Sequence, residues 1–158
     1  MNELIRKHAA PSRTQVERLK EIIAEMVRCC EDRRIYEHGR FGLPYAELRC
    51  LMLFDGERYL TVKGMAERMD VAKSRITKIV DGLAAKGFVK KVDDPDDGRV
   101  VLISLTPAGR DKAAEIDSFH HEIHCQILEK LNEDERFTLL SHLEVLRCAM
   151  KEVKEGLH

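Results

Sequence analysis

Apolar residues recur at alternating spacings of three and four toward both ends of the chain, a period that predicts long amphipathic helices. Near the start, Val16, Leu19, Ile23, Met26 and Cys30 form one stripe, which predicts a helix from Thr14 to about His38. Gly39 and Gly42 end it, and Pro44 suits the first turn of a second helix, "PYAELRCLMLF". Toward the other end, Thr106-Pro107 reads as N-cap and first helical position, and Ile116, Phe119, Ile123 and Ile127 carry that helix to about Leu131. "NEDE" supplies another N-cap with Glu135 in the capping-box position. The last stripe is Leu139, Leu143, Leu146, Met150 and Val153.

The middle of the chain is patterned on a shorter scale. "DGERY" is a turn, and Thr61 is an N-cap for "VKGMAERMD", with Met65 and Met69 on one face. The helix that follows places Ile76, Ile79, Val80 and Leu83 on one side. Lys73, Ser74, Arg75, Thr77 and Lys78 fall on the exposed side or in the first turn, and Gly87 stops the helix. "FVKKV" and "VVLISL" are β-branched runs joined by a loop containing Asp97-Gly98, which predicts a hairpin.

The fold class is therefore mainly α with a small β-hairpin, and 158 residues suit a single domain. A compact unit spans about 44–105, flanked by helical regions at about 1–38 and 107–158. A chain of this size cannot bury three such apolar stripes against itself, so a second copy is the expected cover and a homodimer the expected assembly.

Charge sharpens the picture. The whole chain is nearly neutral at −1, but Thr61 to Lys91 holds eight basic residues against three acidic ones. That local surplus points to a polyanion at one segment, where the total charge would not. No apolar signal core or membrane-length stretch is present, so a cytoplasmic protein with no membrane partner is expected. The five cysteines show no disulfide-framework or zinc-finger spacing and read as small buried hydrophobes.

At "LTVKGMAERMDVAKSRITKIVDGLAAKGFVKKVDDPDDGRVVLISLTPAGR" the sequence resembles the multiple-antibiotic-resistance regulator (MarR) family. The elements that carry the resemblance are "MAERMDVAKSRITKIVDGLAAKGFV", the acidic turn with its arginine, "DPDDGR", and the exit "LISLTPAG". The resemblance implies a winged helix-turn-helix fold and a homodimeric transcriptional regulator. It further implies a pseudopalindromic double-stranded DNA operator and release by a small-molecule effector.

On that reading helix 73–86 enters the major groove and the wing, 92–100, the minor groove. Arg75 is the expected base-edge contact, because a guanidinium paired with guanine is the commonest specific one. Ser74, Thr77 and Lys78 are placed for phosphate or base contact, Lys73 for backbone, and Thr61 joins the interface. In the wing the expected contact is Arg99, oriented through a charge-assisted bond from Asp97. The aspartates and Pro95 then shape the loop. The alternative is a solvated acidic turn without a DNA role. Two departures from the family pattern bear on binding strength: Gly98 stands where a second arginine is common, and Ala72 where Ser or Thr caps the helix.

An alternative function is a metal- or thiol-responsive sensor. His120/His124 and His121/Cys125 are i, i+4 pairs within "SFHHEIHCQ", and Glu37, His38 and Cys30 are candidates to complete a site. Cys29-Cys30 is the candidate thiol pair, although the helical period puts Cys30 on the apolar stripe. The favoured reading of the histidines is a solvated helix face, so no metal site and no cofactor is assigned. No phosphate loop, nucleophile elbow or zinc-protease pattern occurs, so the chain is not read as an enzyme.

Overall fold

The computed structural model describes residues 9–157, so the first eight residues of the expected N-terminal dimerisation region lie outside it. Six helices and a three-stranded sheet follow one another: α1 (Arg13–Phe41), α2 (Tyr45–Met52), β1 (Leu60–Thr61), α3 (Val62–Met69), α4 (Lys73–Ala85), β2 (Val89–Asp93), β3 (Val101–Leu105), α5 (Pro107–Glu129) and α6 (Glu133–Glu155). The sheet order is β1-β3-β2 and all pairing is antiparallel, with Lys91 opposite Ile103 and Leu60 also opposite Ile103 on the other side. No helix among the described residues is long and apolar enough to cross a membrane.

Local chemistry explains most of the boundaries. The Thr61 hydroxyl accepts from the Gly64 N–H, that of Thr106 from Gly109, and Asn132 forms a reciprocal capping box with Glu135. A further capping box, Ser12 with Gln15, starts α1 slightly earlier than Thr14. α1 also runs straight through Gly39 to Phe41. A glycine inside a helix costs only about 1 kcal/mol, and the burial of Phe41 favours another turn. Termination falls to Gly42, whose φ of +64° is the left-handed geometry a side chain resists.

The hydrophobic core lies in the middle of the chain. Leu48 and Leu51 of α2, Met65 and Met69 of α3, and Ile76, Val80 and Leu83 of α4 pack with Val89 and Ile103 of the sheet. From the flanks only Phe41, Ile116 and Phe119 enter it. The exit "LTPAG" has a packing reason. The Thr106 hydroxyl donates to the Gly87 carbonyl at 2.6 Å, and a β-carbon on Gly109 would overlap the Phe88 backbone. The start of α5 is thereby clamped onto the turn between α4 and β2.

The flanks behave differently. α6 has no buried residue, and Val16, Leu19 and Met26 of α1 are exposed in the single chain. The cysteine expectation is corrected here. Only Cys50 is buried, while Cys29, Cys30 and Cys148 are exposed and Cys125 is half-buried. Those four sit on flanking helices, and a stripe that nothing covers leaves its cysteines in solvent.

Candidate nucleic-acid interface

α3, the tight turn at Asp70 and α4 form the two-helix unit, and β2–β3 forms the hairpin beside it. Asp70 takes a positive φ of 55° to make the turn. α4 begins at Ala72 without a side-chain cap, which leaves the first N–H groups of that helix open to an external acceptor.

The basic surplus is smaller than the sequence count. Lys63 lies 3.9 Å from Glu67, Arg68 is bonded to Glu57 at 2.5 Å, Lys86 to Glu47, and Lys91 to Asp81 at 2.6 Å. The bond to Glu57 also raises the pKa of the Arg68 guanidinium. Lys90 points the other way from Lys91, as alternation along a strand requires, and lines a cleft described below. Among the described residues Lys73, Arg75 and Lys78 enter no ion pair, and all three lie exposed within the first turns of α4. Ser74 is exposed among them, and the Thr77 hydroxyl donates to the Lys73 carbonyl at 3.1 Å, leaving its lone pairs outward. Thr61 stands apart at the start of α3, its oxygen engaged by the Gly64 N–H at 3.0 Å.

The wing loop is built by its carboxylates. Asp94 Oδ1 accepts from the N–H groups of Asp96 at 2.8 Å and Asp97 at 3.4 Å, and Val100 donates to the Asp97 carbonyl at 2.8 Å. Asp97 Oδ1 receives both the Arg99 backbone N–H at 3.0 Å and its Nε at 3.2 Å. The Arg99 side chain is 92% exposed, so its position is set by Asp97 and not by packing. Sequence reasoning anticipated the Asp97–Arg99 pairing. It did not single out Asp94 as the residue that folds the turn, nor the Asp81–Lys91 bond that ties β2 to α4.

The histidines diverge. His120 Nε2 is 2.9 Å from Glu37 Oε1 on α1, His124 Nδ1 is 2.6 Å from the His120 carbonyl, and His121 Nε2 is 3.3 Å from Cys125 Sγ. His38 turns to the Leu43 carbonyl at 3.0 Å. No group of three or more His, Cys, Asp or Glu side chains able to hold a metal ion occurs among the described residues. Glu37, named from the sequence only as a possible metal ligand, is 1% exposed, and nothing in the sequence marks it as buried.

A cleft of about 770 Å³ opens where α2, the 53–59 loop, the sheet and the start of α5 meet. Leu51, Met52, Phe54 and Leu105 form its apolar wall, and its charged lining is mixed, Arg58, Lys90 and Arg110 with Asp55, Glu57 and Asp117. α1 contributes nothing to it, and the cleft is bounded by α2, the 53–59 loop, the sheet and α5.

Two helices joined by a tight turn, a hairpin tied to the second of them, and free cations on its leading face define a winged helix-turn-helix protein. The MarR family model matches residues 41–100. The transcriptional repressor YetL of Bacillus subtilis is 32% identical over 103 residues, which are 64% of this chain and 61% of YetL. The multiple antibiotic resistance protein MarR of Escherichia coli is 26% identical over 122 residues, 74% of this chain and 83% of that one. Among solved structures, Streptococcus pneumoniae FabT in complex with DNA superposes with a TM-score of 0.79 at 20% identity, covering 87% of this chain and 99% of FabT. A MarR family protein of Bacillus stearothermophilus gives 0.77 at 22% identity, covering 90% and 99%. Over residues 41–100 the chain is similar to the MarR family, and it spans less than two thirds of the length of YetL.

Proposed function

We propose that the chain is a homodimeric repressor that binds a pseudopalindromic duplex operator through residues 44–105 and dimerises through residues 1–38 and 107–158. α4 enters the major groove and the wing the minor groove. The observation that carries this reading is the set of unpaired cations Lys73, Arg75 and Lys78 on the first turns of α4, beside an arginine that Asp97 holds at the wing. FabT, a structural relative, is bound to DNA, and YetL and MdtR of Bacillus subtilis are both named repressors. The exposed apolar stripes of α1 and α6 support dimerisation, and the cleft at the end of α2 supports a small-molecule effector.

Three substitutions test the interface. Arg75→Ala should cost about 1–3 kcal/mol of binding and relax preference at one base pair in each half-site. Arg99→Ala should weaken binding to most sequences, with added dependence on A·T-rich flanks. Asp97→Ala separates the two readings of the acidic loop. Simple electrostatics predicts tighter binding when a negative charge beside DNA is removed, whereas loss of the hold on Arg99 predicts weaker binding. Tighter binding by Asp97→Ala at every salt concentration would leave the aspartates as a solvated turn.

A further inference from the structure

We infer that Glu47 of α2 sets the pose of the recognition helix by holding Lys86 across the bare backbone of Gly82. This rests on the reading of α4 as the groove-entering helix, and it assigns a positioning role to a residue remote from the DNA face.

Three observations meet at this point. Glu47 is buried to 9% exposure, and a buried carboxylate is costly unless it is paired. Its Oε2 accepts from Lys86 Nζ at the C-terminal end of α4. Gly82 lies under the same carboxylate. A β-carbon there would stand 2.7 Å from Glu47 Oε1, so an added side chain would make that carboxylate shift. The thiol of Cys50, one turn along α2, is pushed up to about 12, by burial first and the Glu47 charge second. The contacts with Lys86 and Gly82 place the Glu47 carboxylate in the seam between α2 and α4.

The buried stripe Ile76, Val80 and Leu83 sets which face of α4 turns inward. The bond at Lys86 adds an anchor at the end of the helix, which restrains the final tilt of α4 against α2 and with it the positions of Arg75 and Lys78 three turns and two turns earlier. α2 also forms a wall of the cleft through Leu51 and Met52. A ligand that displaced α2 would therefore reach the recognition helix through this pair.

The alternative role for Lys86 is a phosphate contact. The two roles differ in salt dependence, because a lysine that neutralises a phosphate releases a counterion on binding. The test uses duplexes selected by the unmodified full chain from a randomised library. Affinity across a salt series and melting temperature are then measured for Glu47→Gln, Lys86→Met, their combination and Gly82→Ala.

Glu47→Gln and Lys86→Met should each weaken binding by about tenfold, with the combination no worse than the stronger single loss. Lys86→Met should leave the slope of log affinity against log salt unchanged. Gly82→Ala introduces the better helix former but makes the Glu47 carboxylate shift, so its affinity should fall by more than any change in melting temperature accounts for. A salt slope reduced by about one in Lys86→Met would make Lys86 a phosphate contact and overturn the inference. So would additive losses, or affinities that simply follow melting temperature. If the unmodified chain selects no duplex, the DNA-binding reading fails and the inference falls with it. If it does select duplexes and the variants behave additively, only the inference fails.

Discussion

The winged unit and the helices that flank it both carry apolar stripes at helical spacing, yet only the unit covers its own. Its Leu48, Leu51, Met65, Ile76, Val80, Leu83 and Ile103 are all buried in the single chain. α6 presents Leu143, Met150 and Val153 to solvent at 38%, 52% and 66% exposure, and buries nothing fully. Covering a side chain of this size stabilises by about 1.5–3 kcal/mol, so a few such residues from each copy are enough to hold a dimer. The charges divide the same way. In the winged unit they are placed by specific partners, as at Asp97–Arg99 and Glu47–Lys86, whereas on the flanks most are exposed neighbours on one helix, as at Arg18–Glu21 and Lys151–Glu155. A bonded layout of the first kind suits recognition, and an uncovered stripe suits assembly.

Placing charge on the α6 stripe should break this comparison with the largest effect. Leu143→Glu combined with Met150→Glu should convert a dimer into monomer or aggregate in sedimentation. The winged unit should keep its core, because no α6 residue belongs to it. A dimer that survives both changes would put the interface elsewhere. A smaller effect should come from Ala72→Ser. Ala72 has the extended geometry of an N-cap, φ −65° and ψ 145°, without a side-chain acceptor. Serine should stabilise α4 by about 0.5–2 kcal/mol, read as a raised unfolding midpoint with the dimer unchanged. No gain would mean that the first turn of α4 is already satisfied.

What could be read in the sequence was local. The caps at Thr61, Thr106 and Asn132 are short-range bonds between named residue types, and the structure places each of them. The Asp97–Arg99 contact spans two residues and was legible for the same reason. Strand β1 was not legible, because two residues become a strand only when β3 lies alongside them. In the sequence Glu37 stands out only as a possible metal ligand, and nothing singles out Glu47. Their burial depends on which helix packs above them, and the clue at Gly82 has meaning only once α2 is in place. The histidines read as a solvated helix face, with a metal site as the alternative. The contact of His120 with Glu37 of α1 depends on how α5 packs on α1, which spacing along one helix does not carry.

On the proposed reading two winged units, each with Phe41, Ile116 and Phe119 of the flanking helices in its core, are held at a fixed separation by the exposed stripes of those helices. Half-site spacing tests it most directly. The affinity of the full chain is measured on duplexes whose half-sites are separated by increasing numbers of base pairs. The account predicts an optimum near 10 base pairs centre to centre, about one helical turn. Adding about half a turn, which rotates one half-site to the far side of the duplex, should cost most of the affinity. Binding indifferent to spacing, or one chain bound per duplex at saturation, would contradict it.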